Sequence, residues 1–210
     1  MASRAVIARI LKARAVLLDL DNTLYPYLPH HRQGLRGAHR LFCSRVRRVS
    51  LAIFQKNYEA ARREVKRHTA AQAASHSRLL YFQEMLRRES GRPQPRLTQA
   101  LEGAYWTAYM RGMKLRPWVM PLLKQLRERG IRVAIVTNMT LDWQLKKISR
   151  LGLAPWIDAL VSSEEAGVEK PDPKIFRLAL KKLGCSARNA VGLGDDPVSD
   201  RSSLVKFYRI

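Results

Sequence analysis

Asp19 and Asp21 follow directly on the apolar run Val16-Leu17-Leu18, and a hydroxyl, Thr23, stands two residues further on. Carboxylates this close repel each other, so something positive must lie between them. Mg²⁺, which takes carboxylate oxygen, is the natural candidate. The same spacing also arises where a strand enters an Asx-type turn and the acids simply cap the next element. Three more apolar runs end in polar clusters: residues 131–136 run into Thr137 and Asn138, residues 159–161 into Ser162 and Ser163, and residues 190–193 into Gly194, Asp195 and Asp196. A lysine, Lys170, stands in Glu169-Lys170-Pro171-Asp172-Pro173.

Something must hold these residues together. Short apolar runs bounded by polar or glycine residues read as buried strands of a parallel sheet. Between them lie helical stretches: one starts at Pro117 and is stopped by Gly130, one covers 141–151 and ends at Gly152, and one covers 174–183 and ends at Gly184. Strands and helices alternating at this rhythm imply an α/β core, a three-layer Rossmann-like parallel sheet. Right-handed crossovers bring the carboxyl ends of all its strands to one edge, where such sheets bind ligands. Carboxylates, hydroxyls and one lysine therefore converge. That set suits an anionic substrate held by Mg²⁺, a lysine and hydroxyl donors.

No strand pattern occurs between Pro26 and Arg116. Pro26-Tyr27-Leu28-Pro29 reads as a chain-turning linker. A long helix follows, with Leu35, Ala38, Phe42, Val46, Val49 and Ile53 at steps of three and four. A second uses Leu79, Phe82, Met85 and Leu86, and a third, after the break at residues 90–95, uses Leu97, Leu101, Tyr105 and Tyr109. The expected organisation is an α/β core of residues 1–25 and 117–210 with an all-helical insertion, 26–116, after the first strand.

These residues carry a family resemblance. Asp19-Leu20-Asp21-Asn22-Thr23 is similar to the DxDxT first motif of haloacid dehalogenase superfamily hydrolases of the helical-cap subfamily. Val136-Thr137-Asn138 resembles the second motif. Residues 169–173 resemble the third, and Gly194-Asp195-Asp196-Pro197-Val198-Ser199-Asp200 resembles the fourth, in its GDDPxxD form. The match runs in order from about Ala15 to Asp200, and the insertion sits where this subfamily places its cap.

The resemblance implies roles. Asp19 would be the nucleophile, giving an aspartyl-phosphate. Asp21 would protonate the leaving oxygen and then deprotonate water. Mg²⁺ would be held by Asp19, the Asp21 backbone carbonyl and Asp195. Thr137 and Asn138 would bind the phosphoryl group. Lys170 would neutralise the crowded acids and the phosphoryl oxygens. Asp200 would orient Lys170 or the waters on the metal. Asp196 reads equally as a neighbour of the metal ligands and as a turn acid, and Thr23 equally as a loop-shaping residue and as a cap. The helical cap would close over the site and set substrate choice. Ser75-His76-Ser77-Arg78 and the arginines of the first cap helix could touch an anionic substrate, although any one of them reads first as a solvated surface residue. His30, His31, His39 and His68 form no metal-ligand set and read as surface residues.

After Asp200 the likeness stops. A glycine- and alanine-containing helix and a further strand would be expected, whereas the chain reads Arg201-Ser202-Ser203-Leu204-Val205-Lys206-Phe207-Tyr208-Arg209-Ile210. Either residues 204–208 substitute for the closing strand, or a truncated or frame-altered terminus leaves a sheet edge uncovered.

Composition sets outer bounds. With 210 residues, 46% of them hydrophobic, the chain can bury a core. Cys43 and Cys185 follow no metal-ligand spacing and read as reduced thiols of a cytoplasmic protein. No apolar run is long enough to cross a membrane. Residues 1–14 are basic and acid-free, which fits a lead-in to the first strand or a short organellar presequence. The balance of 39 Lys+Arg against 17 Asp+Glu gives +22, and residues 30–70 hold 11 Lys/Arg and 2 Glu. Such a field attracts nucleic acid or small anions, yet no nucleic-acid module signature is present.

The reading that joins these points is a Mg²⁺-dependent phosphatase acting on a small phosphorylated metabolite. A phosphomutase would share Asp21. A 2-haloacid dehalogenase would lack it, because a departing halide needs no proton donor. The charge alone supports a third reading, a non-catalytic basic nucleic-acid-binding or scaffold protein on a degenerate hydrolase core.

Overall fold

Ala15-Val16-Leu17-Leu18 is apolar and buried at every position, as a strand with sheet on both sides must be. The computed structural model of the chain describes residues 7–8, 10–202 and 204–209. Contacts divide it into two units, Met1–Pro26 with Lys114–Ile210, and Tyr27–Met113.

The first unit is built on a parallel sheet of β1 (Ala15–Leu18), β2 (Arg132–Thr137), β3 (Ala159–Ser162), β4 (Ala190–Gly194) and β5 (Lys206–Arg209). Its order is β3-β2-β1-β4-β5, which puts β1 at the centre. Leu18 pairs with Ile135 on one side and Leu193 on the other, so Asp19 emerges between the ends of β2 and β4. The tail settles the question of the closing edge. Residues 206–209 form β5 and pair in parallel with β4, from Val191↔Lys206 to Gly194↔Arg209. Most of the basic lead-in at residues 1–14, and with it the presequence reading, lies outside the described residues, although Ile10 is buried.

The second unit is helical. It holds α1 (Tyr27–Arg45), α2 (Leu51–His68), a 3-10 turn at Ala73–His76, α3 (Arg78–Ser90) and α4 (Pro95–Met110). The helix begins at Tyr27, inside the expected linker, and Pro29 is accommodated in its first turn. The single helix expected through Ile53 is two. The chain leaves α1 after Arg45, and Ser50 caps α2 by accepting from the Ile53 amide at 3.2 Å. The restart rotates the apolar stripe. Phe54, Tyr58 and Ala61 face inward, while Ile53 is 48% exposed.

Glycines let α1 approach α4. A Cβ on Gly37 would lie 2.5 Å from Ala108 Cβ and 2.7 Å from the Ala104 carbonyl oxygen, and one on Gly34 would lie 2.7 Å from the Tyr105 ring. Phe42, Phe54, Tyr58, Tyr81, Phe82, Tyr105, Trp106 and Tyr109 fill the interior. Two histidines expected at the surface belong to this interior. His30 Nδ1 is 3.0 Å from the Tyr109 carbonyl oxygen, and His31 Nδ1 is 2.7 Å from the Tyr105 hydroxyl. Arg78, expected in solvent, is buried.

In the α/β unit, α5 (Val119–Glu128), α6 (Leu141–Arg150), a short α7 (Ser163–Ala166) and α8 (Pro173–Lys182) complete the layers. From α8, Ile175, Phe176, Ala179 and Leu180 pack on Leu17, Ala134, Val136 and Val161. Each large side chain buried there contributes roughly 1.5–3 kcal/mol. Val16, Leu18, Val133 and Ile135 alternate to the opposite face and are also buried, so the sheet is covered on both sides. No described helix is long and apolar enough to cross a membrane.

Candidate active site

The carboxyl ends of β1, β2 and β4 deliver the polar residues. Asp19 follows β1, and its Oδ1 lies 2.6 Å from Lys170 Nζ. Lys170 Nζ also donates to Asp200 Oδ1 at 2.5 Å. All three side chains are buried. Burial pushes the Asp19 carboxyl up to about 7. The Lys170 ammonium opposes that shift and the Asp200 charge adds to it. Burial alone would lower the Lys170 pKa, but the charges of Asp19 and Asp200 outweigh it and raise it above the usual lysine range.

Thr23 does more than cap an element. Its hydroxyl lies 2.6 Å from Asp19 Oδ2 and 3.0 Å from Asp195 Oδ1, and accepts from the Asp195 amide at 3.1 Å. Its single proton serves one of those two carboxylates at a time. Asn22 adopts φ 67°, a left-handed conformation that asparagine tolerates, and its side-chain amide donates to Asp195 Oδ2 at 2.6 Å. Arg116 holds this loop from behind, donating to the Thr23 carbonyl at 3.1 Å and the Asn22 carbonyl at 2.9 Å.

Asp21 turns toward α6. Lys147 Nζ donates to its Oδ1 at 2.6 Å, Gln144 Nε2 to its Oδ2 at 3.0 Å, and the Tyr25 hydroxyl also donates to Oδ1. Burial alone would raise the Asp21 pKa, but Lys147, with Tyr25 and Gln144, holds it down at about 2. Gln144 Nε2 also donates to Thr137 Oγ1 at 2.7 Å. Lys147 and Gln144 escaped the sequence reading, yet a signal was there. Gln144, Lys147 and Ile148 share the buried face of α6, so two polar residues stand where that helix should bury apolar ones.

Asn138, expected among the phosphoryl ligands, clasps the main chain of Lys170. Its Oδ1 accepts from the Lys170 amide at 2.8 Å and its Nδ2 donates to the Lys170 carbonyl at 3.3 Å. It therefore positions the lysine. Asp196 is exposed and forms a turn, its Oδ1 accepting from the Val198 amide at 2.9 Å and its Oδ2 from the Ser199 hydroxyl at 2.8 Å. Asp200 closes the loop, its Oδ2 accepting from the Asp196 amide at 3.0 Å.

Asp19, Asp195 and Asp200 each offer a carboxylate oxygen, and these oxygens lie within 4.8 Å of one another. Three carboxylates set against one ammonium leave an excess of negative charge. The donor set is all oxygen, which a hard divalent cation prefers. The residues present therefore fit Mg²⁺.

A model of the haloacid dehalogenase-like hydrolases matches residues 13–206, nearly the whole chain. The chain belongs to this family. Among the relatives of this family member, a ribulose-1,5-bisphosphate 5-phosphatase of Halopiger xanaduensis is 44% identical over 192 residues, which cover 90% of this chain and 79% of the relative. A glyceraldehyde 3-phosphate phosphatase of Methanopyrus kandleri is 36% identical, over 87% of this chain and 75% of the relative. A phosphoserine phosphatase of Thermus thermophilus is 30% identical, over 89% and 82%. Among solved structures, the fold of a haloacid dehalogenase-type phosphatase from Thermococcus onnurineus aligns with a TM-score of 0.67 at 21% identity, covering 89% of this chain and 79% of that one.

Proposed function

We propose that the chain is a Mg²⁺-dependent phosphatase that hydrolyses a small phosphorylated metabolite through an aspartyl-phosphate on Asp19. One observation carries the reading. Asp19 leaves the central strand with one oxygen on Lys170 and the other on Thr23, beside Asp195 and Asp200. The names of the relatives support a short phosphorylated carbon chain as substrate.

Asp19, Asp195 and the Asp21 backbone carbonyl would hold the metal, with Asp200 close by. When bound, Mg²⁺ supplies positive charge to the phosphoryl oxygens and offsets the repulsion among the acids. An Asp19 oxygen forms the bond to phosphorus as the ester P–O bond breaks, and Asp21 gives its proton to the leaving oxygen. A water oxygen then bonds to phosphorus, Asp21 takes its proton, and the aspartyl P–O bond breaks. Lys170 faces the developing charge as a fixed ammonium, and Thr137 donates to the phosphoryl group.

Asp21 rests as a carboxylate on Lys147, so its proton for the leaving oxygen is taken up with the substrate. A second aspartate at this position favours phosphoryl transfer over dehalogenation.

The test is release of phosphate from an aryl phosphate and from a panel of phosphorylated three- to five-carbon metabolites, with Mg²⁺ and with chelator. Metal-dependent release that is lost in Asp19→Asn is expected. Equal release in chelator would overturn the metal, and full activity in Asp19→Asn would overturn the nucleophile.

A further inference from the structure

We propose that the helical unit carries a binding site for a small oxyanion, built on the Arg78 guanidinium and the Tyr58 hydroxyl. The site lies within that unit and involves neither Asp19 nor the phosphatase chemistry.

Arg78 opens α3 and is only 6% exposed. One terminal nitrogen donates to the His76 carbonyl at 2.6 Å and the other to the Tyr27 hydroxyl at 2.6 Å. The rings of Tyr27, Tyr81, Tyr105 and Trp106 surround it, with centroids 5.5–6.0 Å from Cζ. Among the described residues, no carboxylate pairs with it. Buried charges are ordinarily paired, because an isolated one is costly to take out of water. The helix terminus adds to the difficulty, since a cation is disfavoured at the positive end of α3.

Two orphaned groups say what is missing. Arg78 Nε is buried and, among the described residues, has no acceptor. The Tyr58 hydroxyl, on a fully buried side chain, is also without a partner. Both flank the Tyr81 ring, whose centroid is 5.9 Å from Arg78 Cζ and 5.7 Å from the Tyr58 ring. Arg78 Nε can only donate, so the group that satisfies it must accept, and the Tyr58 hydroxyl can donate to the same group. A guanidinium edge fits the paired oxygens of a carboxylate or phosphoryl group. The surrounding potential favours an anion too. Burial, together with the charges of Arg78 and Arg62, drives the His31 pKa down to about 3, so the imidazole beside this cluster stays neutral. Buried donors, a cation without a counter-ion and a positive surrounding together specify an oxyanion.

The orphaned N–H is itself the probe. In a ¹⁵N correlation spectrum of the arginine Nε–H groups, the Arg78 signal is identified by its loss in Arg78→Lys. Inorganic phosphate, and separately acetate, is titrated at constant ionic strength. A saturable shift of the Arg78 signal, distinct from that of exposed arginines such as Arg63, is expected. Response to phosphate alone assigns a phosphoryl ligand, and response to both assigns a general oxyanion site. Tyr58→Phe should weaken the midpoint about tenfold, the worth of one hydrogen bond to a charged group. Asp19→Asn should leave the response intact, even where hydrolysis is lost. No saturable shift with either anion, or one shared by the exposed arginines, overturns the site. An unchanged midpoint in Tyr58→Phe overturns the part given to that hydroxyl.

Discussion

Gly194→Ala tests how the acid–lysine cluster is held. Gly194 ends β4, immediately before Asp195, and the space beside its Cα is already filled by Asp200. An added Cβ would lie 2.1 Å from Asp200 Oδ2, 2.4 Å from its Cγ and 2.6 Å from its Cβ. Comfortable contact between such atoms is about 3.5 Å, so the carboxylate must retreat by roughly 1 Å. That shift breaks its 2.5 Å bond to Lys170 and its 3.0 Å bond from the Asp196 amide. A lost hydrogen bond to a charged group costs about 1.5–3 kcal/mol and an overpacked site about 1–3. Together they give about 3–5 kcal/mol of destabilisation. In a chain of this size that lowers Tm by roughly 6–20 °C. Near-ultraviolet circular dichroism reads the melt, and kcat/KM on an aryl phosphate, expected to fall about 10- to 100-fold, reads the site. Asp200→Gly removes the atoms that clash. In that background the alanine should cost under about 1 kcal/mol, since the coupling between the two positions would be gone. A Gly194→Ala protein that melts within about 2 °C of wild type, with unchanged kcat/KM, would refute the reasoning.

Other expectations follow from single contacts. Lys147→Met takes the cation from the partly exposed Asp21 carboxylate, at a cost of about 1–3 kcal/mol, and flattens its pH dependence. In the wild type the Asp21 pKa, about 2, lies below its unfolded value, so this stability is present above pH 4 and lost as pH falls. In the variant the Tyr25 and Gln144 hydrogen bonds remain but the Lys147 charge is gone, so the folded pKa rises and urea titrations should show less stability lost below pH 4 than in wild type. Gly37→Ala forces α1 and α4 apart, against Ala108 Cβ at 2.5 Å, and should cost about 1–3 kcal/mol. Gly103→Ala meets nothing within 4 Å inside α4 and should stabilise by about 0.5–1 kcal/mol, as the same melts would show. The His31 pKa of about 3 is depressed below its unfolded value, so its contribution is complete above the ordinary histidine pKa and lost as pH falls. Between pH 7 and 5 that loss is about 1–2 kcal/mol, and His31→Gln should flatten it.

The sheet was readable because each strand is a short apolar run closed by polar or glycine residues, and the parallel topology then forced those ends together. Asp19 and Asp195 follow from that rule, whereas Lys170 and Asp200 stand in loops beyond the strand ends and were placed by the likeness to the family's third and fourth motifs. What was not readable depends on packing. Lys147 lies nine residues beyond the Thr137-Asn138 pair, outside any motif, and only its place on the buried face of α6 reveals it. Arg116 works through backbone carbonyls, which leave no mark in the sequence. Asn138 sits beside Thr137 in a polar pair, and nothing local says that it clasps the main chain of Lys170. The break between α1 and α2 is hidden because Val46 and Val49 continue the helical period across it. Arg78 looked solvated because arginine is usually exposed, and its burial comes from aromatic residues on two other helices, α1 and α4. The closing strand was ambiguous, since four residues with mixed polarity decide their pairing by the edge that β4 offers.

The covalent intermediate is the claim on which the account turns. Protein mixed with a hydrolysable phosphate ester and Mg²⁺ would be quenched with borohydride, which reduces an acyl phosphate to an alcohol, and the peptides mapped by mass spectrometry. The account predicts homoserine at position 19, formed with substrate and Mg²⁺ and absent in chelator or in Asp19→Asn. Rapid turnover with an unmodified Asp19, or modification at Asp21 or Asp195 instead, would contradict it.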